Sequence, residues 1–511
     1  WTSAASGFAK KCGVDVDELS EKQTDKGLRL AFYTSVEGVS IGDCLHDIIN
    51  DAIKALPIEK KMRWGTKRVA FVRPVHWIVA MHGKDVFSEP ILDLTPTNFT
   101  RGHSIHASVP IEIDEPTRYE SILEDNRVIA DFERRKSVIT EQLLVEAEKL
   151  DAEVVIDPDL LDEVTSLCEW PVALSGRFDE EFLSLPHEAL VLAMKSHQKY
   201  FPLVNEKNEL VPRFITICNI ESKAPEEVVK GNERVIRPRL SDAAFFYNSD
   251  KSKSLESRCD GLNEIIFQTR LGSLGDKVSR IERNAVYVAE ILGASHSEVS
   301  RVARLCKSDL SSLMVIEFPK MQGIAGRHYA LNDGESASVA TAIEEHYWPL
   351  NAGSKLPKSS IAICVALADR VDTLAGIFGI GLVPTGSKDP FALRRSSLSI
   401  LRILIEGSIF LDINRLFEYA ISGFEADQLD TTDSGQCIRY VMDRLHSYYE
   451  DDGIPIQVFR SVAALDLHCP YDIDLRVRAV NRFASTSICQ SVASANKRVV
   501  NILSKADEPG D

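Results

Sequence analysis

From about residue 255 to the C-terminal end, apolar residues recur at helical spacing over long stretches and strand signals fade. Ile281–Leu292, Val299–Val315, Ser336–Tyr347 and Ser359–Phe378 are the clearest examples. Such stretches bury their apolar stripes against one another, so this half is predicted to be nearly all α-helical. Pro349 and Pro357, with Asn351, Gly353 and Ser354 between them, punctuate one interhelical loop, and the string from Gly379 to Pro390 forms another. The longest clean apolar run, Ile361–Ala368, is stopped by Asp369, whereas a membrane-crossing helix needs about 20 apolar residues. No membrane association is expected.

The preceding part reads differently. Between about 60 and 225, short β-rich runs mix with helices, and Val69–Val72, Trp77–Met81, Glu153–Ile156 and Phe214–Cys218 are the strand candidates. Asp131 is placed to cap a helix whose apolar residues Phe132, Ile139, Leu143 and Leu144 share roughly one face. The fold class is therefore α+β, with mixed α/β modules first and a mostly helical part after them. A chain of 511 residues, 44% hydrophobic and 26% charged, suggests about three domains at roughly 150 residues each. The chain opens on Trp1 with no leader pattern and closes on D-E-P-G-D soon after Leu503, so both ends are read as cut, the last domain being incomplete. His468–Asp474 reads as a linker into that last helical piece. Ten cysteines stand far apart without a C-x-x-C pair, which fits reduced thiols in the cytoplasm and no zinc site.

A net charge of −17 argues against nonspecific adhesion to DNA or anionic lipid. Local charge is less uniform. Leu475–Leu503 holds no acidic residue but contains Arg476, Arg478, Arg482, Lys497 and Arg498. A second island has Lys230, Arg234, Arg237 and Arg239 against Glu233 alone, and Lys388, Arg394 and Arg395 flank a Gly-Ser turn. Basic islands on an acidic body suit a ligand whose phosphates are met at chosen places. The competing readings are a solvated helix face, internal ion pairs for the 230–239 group, and helix capping by Asp389 beside the Gly-Ser turn.

Motifs for activating a nucleotide are missing. Gly381-x-x-x-x-Gly386-Ser387-Lys388 approaches a P-loop, but its Ser-Lys order misplaces both the lysine and the hydroxyl. His103 and His106 lack further ligands and read as surface or polar-core histidines. In the helical half, C-K-S-D-L at 306–310, E-E-H-Y at 344–347 and L-A-D-R-V-D-T-L at 367–374 resemble the helical HD phosphohydrolase layout, in which His-Asp, a later His and a final Asp gather around metal. Ser308 stands where the first His belongs, followed by Asp309, His346 and Asp369. A serine hydroxyl replaces imidazole poorly as a ligand, so a degenerate domain that binds no metal is expected.

Beyond these motifs, a series of longer strings runs along the whole chain. They are K-M-R-W-G at 61–65, F-V-R-P-V-H-W at 71–77, T-R-G-H at 100–103, E-V-T-S-L-C-E-W-P-V at 163–172 and M-K-S-H-Q-K-Y-F-P at 194–202. G-N-E-R-V at 231–235, R-L-S-D-A-A-F-F-Y at 239–247, E-F-P-K-M-Q-G at 317–323, P-T-G-S-K-D-P-F-A-L-R-R at 384–395 and A-N-K-R-V-V-N-I-L at 495–503 continue them in order. Taken together, these strings resemble the β subunit of the bacterial two-subunit glycyl-tRNA synthetase, with one departure at Ser104, where the family string T-R-G-H-R-F has a basic residue. The resemblance implies an enzyme that joins glycine to tRNA(Gly) with ATP and Mg²⁺, used through a separate α subunit in an α2β2 heterotetramer. No catalytic residue and no bound cofactor are then expected of this chain. It further implies an N-terminal remnant over 1–60, modules like those of phenylalanyl-tRNA synthetase over 61–225, a helical connector over 226–290, an HD-like domain over 291–468 and the start of an anticodon-binding domain over 469–511. The basic islands named above become the candidate tRNA contacts, Arg476, Arg478, Lys497 and Arg498 first. The alternatives are a metal-dependent HD-type phosphohydrolase using Asp309, His346 and Asp369, and a stand-alone tRNA-binding or editing module. Trp64, Trp77, Trp170 and Trp348 sit among apolar residues and are expected as core or interface anchors.

Overall fold

The computed structural model describes residues 2–24, 27–35, 37–384, 389–425 and 427–503. They form two compact units: Trp1–Thr140 with Asp162–Val172 and Cys218–Glu221, and Glu141–Leu161 with Ala173–Ile217 and Ser222–Asp511. The architecture is mixed α+β, mostly helical, with small antiparallel sheets.

In the first unit, Ser20–Thr24 pairs with Gly27–Ala31, Met81–His82 with Asp85–Val86, and Phe99–Arg101 with Pro110–Glu112, all antiparallel. Two predicted strands are not ladders. Phe71 makes a single bridge to Met62, Val79 a single bridge to Thr97, and Met81 alone of its stretch joins a strand. Pro74, between the two stretches, lacks the N–H that a ladder needs. The predicted helix is present as Phe132–Lys149, with the Arg134 N–H donating to Asp131 Oδ1 at 2.6 Å. Ile139 and Leu143 are buried, but Leu144 is 55% exposed, because it falls one residue beyond the stripe that positions four apart share.

The second unit contains a four-stranded sheet in the order Glu153–Val154, Phe201–Val204, Leu210–Cys218, Val172–Arg177. Val154 stands opposite Leu203, and Phe214 opposite Pro202. Phe214 stacks on Tyr200 with ring centres 4.4 Å apart, and a Cβ at Gly176 would come within 2.5 Å of the Phe214 ring. Glycine is what lets the strand lie that close. Phe201–Val204 and Val172–Arg177 escape sequence reading because Pro202, Ser175 and Gly176 interrupt their strand-like character.

Around helix Ser360–Gly379 the rest of the lobe is assembled. It is buried over nearly its whole circumference and packs against Leu274–Leu292, His296–Leu305, Leu393–Glu406 and Ile413–Ile421. The predicted Val299–Val315 helix is broken into His296–Leu305, a turn at Ser308–Ser311 and Leu313–Glu317. Two caps restart the chain there: Ser312 Oγ accepts from Val315 N–H at 3.2 Å, and the buried Asp250 carboxylate accepts from Leu313 and Met314 N–H at 3.0 and 2.9 Å. The expected linker at His468–Asp474 is instead mostly helix. Pro470 opens helix Pro470–Ala484, and Ile473 and Val477 join the main core. Among the described residues, no helix is long and apolar enough to cross a membrane.

Candidate functional site

The helical fold brings His346, at the end of Ala337–Glu345, close to Asp369 in Ser360–Gly379, and it does so around a residue that sequence reading passed over. Lys307 Nζ lies 2.9 Å from His346 Nε2 and 2.7 Å from Asp369 Oδ2, with the Tyr347 ring centre 3.9 Å away. Ser308, Asp309 and His346 are wholly buried, and Lys307 is 5% exposed. His346 Nδ1 donates to the Ile343 carbonyl at 2.6 Å, which leaves Nε2 to accept from the ammonium.

This donor set does not fit a divalent ion. The Nε2 lone pair and one carboxylate oxygen already serve an ammonium. Ser308 Oγ is 3.1 Å from Cys259 Sγ, and Asp309 Oδ2 accepts from Gly323 and Gly326 N–H at 2.6 and 3.2 Å. A cation of the protein's own stands where a metal would need those ligands.

A second layer holds the first. Lys277 Nζ is 3.0 Å from Asp369 Oδ1 and 3.1 Å from Asp372 Oδ2, and Arg280 Nε is 2.6 Å from Asp372 Oδ1. Burial alone would raise the Asp369 carboxyl, yet Lys307 and Lys277 hold it well below the usual carboxylate range. Burial and then Lys307 keep His346 well below the ordinary imidazole range, so its ring is neutral. Asp309 goes the other way. Burial pushes it up to about 6 against the pull of the two glycine N–H groups, and its Oδ1 is buried with no hydrogen-bond partner among the described residues.

The exposed basic candidates are scattered over several helices, and most face carboxylates of their own. Arg476 Nε is 2.9 Å from Asp472, while Arg478 pairs with Asp474 at 2.9 Å and Asp452 at 3.1 Å. On helix Pro225–Asp250, Lys230 pairs with Glu227 at 2.7 Å, Arg237 with Asp179 at 3.0 Å and Arg239 with Asp242 at 3.9 Å. Lys230, Arg234 and Arg237 share a face by helix spacing, whereas Arg239 lies about half a turn away from Lys230. Lys497 and Arg498 are exposed on Ser487–Leu503. Arg394 and Arg395 open helix Leu393–Glu406, where Asp389 accepts from the Leu393 and Arg394 N–H groups at 2.9 Å each, the capping role that competed with a phosphate role. Lys388 lies outside the described residues, as does the Gly386-Ser387 step of the near P-loop.

His103 is a polar-core residue: Nε2 donates to the Asn219 carbonyl at 2.6 Å and Nδ1 accepts from Ile105 and His106 N–H. His106 Nε2 accepts from Glu221 N–H at 3.1 Å. Both rings are satisfied by main chain, not arranged for metal.

Residues 1–464 match the family model described as the glycyl-tRNA synthetase beta subunit. The chain belongs to that family. It is 45% identical over its whole length to the glycine–tRNA ligase beta subunit of Chromohalobacter salexigens, covering 74% of that protein. It is 45% identical to the Hahella chejuensis protein of the same name and 44% to that of Marinobacter nauticus, with 99% of this chain and 73% of each relative aligned. Within this glycyl-tRNA synthetase β-family chain, the signal for Lys307 was its place directly before Ser308: a cation adjoining a missing ligand.

Two outcomes follow from the buried site. Lys307→Met leaves a buried carboxylate short of a partner and should lower the unfolding free energy by about 3–5 kcal/mol, read by urea denaturation at pH 7. A change under about 1 kcal/mol would mean the ammonium is not needed there. Asp309 binds its proton more tightly folded, at about 6, than at its ordinary 3.8. Its contribution is therefore complete below about pH 4 and is lost as pH rises through 6, at about 1.4 kcal/mol per unit. In Asp309→Asn that slope disappears, so the stability of the variant relative to wild type should climb by about 3 kcal/mol between pH 4 and pH 7; a flat difference would show that Asp309 titrates normally.

Proposed function

We propose that this chain is the tRNA-holding subunit of a two-subunit glycine–tRNA ligase, working in the cytoplasm with an α subunit that carries the ATP, Mg²⁺ and glycine chemistry. The observation that carries the reading is the end-to-end match to proteins named glycine–tRNA ligase beta subunit. In this reading the partners assemble as α2β2 and the substrate is tRNA(Gly). The helical lobe is an HD-like domain put to structural use, because Lys307 takes up the lone pairs that a phosphohydrolase would give to metal. Helices Pro470–Ala484 and Ser487–Leu503 begin the anticodon-side module.

Cations meet RNA through phosphates. Lys497, Arg498 and Arg234 are exposed for that role, and Arg476, Arg478, Lys230, Arg237 and Arg239 take it by exchanging a carboxylate for a phosphate. The 384–395 string offers Lys388, Arg394 and Arg395 as a third group.

Mixing the chain with its α subunit, ATP, glycine and tRNA(Gly) should give glycyl-tRNA, and neither polypeptide alone should; glycyl-adenylate formed by this chain alone would overturn the reading. Replacing Arg476, Arg478, Lys497 and Arg498 with Ala should weaken tRNA binding and flatten its dependence on salt. An unaltered salt slope would remove the phosphate role from those four.

A further inference from the structure

The first unit carries a charge feature unlike the islands above. From Lys60 to Lys84 there is no Asp or Glu, and Lys60, Lys61, Arg63, Lys67, Arg68 and Arg73 fall in its first part. None of these six has an ion-pair partner among the described residues; Lys67 instead donates to the Asp93 main-chain oxygen at 3.0 Å. All but Lys67 are exposed. In a chain of net charge −17, this is positive charge without an ion-pair partner among the described residues.

The same run leads into a pocket. Trp77, Val79 and Met81, alternating along the chain, line a cavity of about 420 Å³ together with Ile113, Pro116 and Tyr119. The Thr97 N–H donates to the Ile78 carbonyl at 2.9 Å, fixing that stretch. Trp77, expected as a core or interface anchor, is 44% exposed and Tyr119 37%. The Arg101 guanidinium lies 5.7 Å from the Trp77 ring centre, and no ion pair engages it among the described residues. An aromatic wall with an arginine beside it, reached in the chain directly after a run of exposed cations, carries the groups that hold an unpaired base between phosphates.

We infer that the Lys60–Lys84 run and the Trp77 pocket form a binding site for a single-stranded stretch of RNA, Lys61, Arg63, Arg68 and Arg73 meeting its phosphates and Trp77 stacking on one base. The inference rests on the tRNA-holding reading and locates a contact that the basic islands of the helical unit do not supply. Charge selects RNA over an apolar protein surface here, since a protein partner would need a dense acidic face to match the run.

The test measures binding of a tRNA(Gly) transcript and of a blunt RNA duplex across salt, with and without the α subunit. The variant with Lys61, Arg63, Arg68 and Arg73 all replaced by Ala should keep wild-type thermal unfolding and flatten the log–log salt slope for tRNA by about 3, since each phosphate left without its cation takes about 0.7–0.9 from the slope. Lysine in place of the three arginines should retain the slope. Trp77→Ala should weaken tRNA binding by about 5- to 100-fold without changing the slope and leave duplex binding untouched, with Trp77→Phe recovering most of the loss. A fourfold variant with the wild-type slope, or Trp77→Ala that loses the α subunit instead of tRNA, overturns this inference and leaves the tRNA-holding reading intact. Wild-type chain that binds no tRNA, alone or with the α subunit, overturns both.

Discussion

An ammonium group shut away from water governs what the helical lobe can do. Removing Lys307 from solvent costs several kcal/mol, of the order usual for a buried ion. The Asp369 carboxylate, the neutral His346 ring and the face of Tyr347 offset that cost together. Because these partners come from separate helices and helix ends, satisfying one side chain aligns the lobe. Lys277, Arg280 and Asp372 extend the arrangement along Leu274–Leu292, and Arg370 donates to the carbonyls of His346, Tyr347 and Trp348 where the Ala337–Glu345 helix gives out.

How much of this was readable in the sequence depended on how local the deciding physics is. Helices Leu274–Leu292, Ala337–Glu345 and Ser360–Gly379 were legible because apolar spacing along one segment defines its buried face. The caps at Ser312 and Asp250 that break Val299–Val315 were harder, since Asp250 acts from another helix. Ser308, Asp309, His346 and Asp369 were found as a pattern, but Lys307 was not. Its role exists only once His346 and Asp369 approach each other in space. The acid partners of Arg476 and Arg478 stood four residues away in plain view at Asp472 and Asp474, a spacing that puts them on one helix face. The acid-free run at Lys60–Lys84 was also countable, and a strongly negative total hid it. The exposure of Trp77 was not readable, because apolar neighbours in sequence say nothing about which side of a sheet-poor unit faces water.

The chain thus handles its cations in three ways. Lys277, Arg280 and Lys307 are consumed inside, against Asp369 and Asp372. Arg476, Arg478 and Arg237 sit at the surface under partial neutralisation, where solvent and salt reduce what each pair contributes. The run before Trp77 has no ion-pair partner among the described residues. An acidic molecule that binds an acidic polymer gains selectivity from such an arrangement, because attraction is strongest where charge is unpaired, weaker where a carboxylate must first be exchanged, and replaced by repulsion over the remainder.

Positions 307 and 308 are locked to one another. A stronger ligand introduced at 308 still confronts a resident ammonium, while an uncharged side chain at 307 strands an anion in the interior before any metal has ligands enough to replace the missing charge. A single replacement at either position therefore leaves the interior with an ion it cannot pair or with a ligand it cannot use. The side chain at 307 thus sets what position 308 can usefully carry.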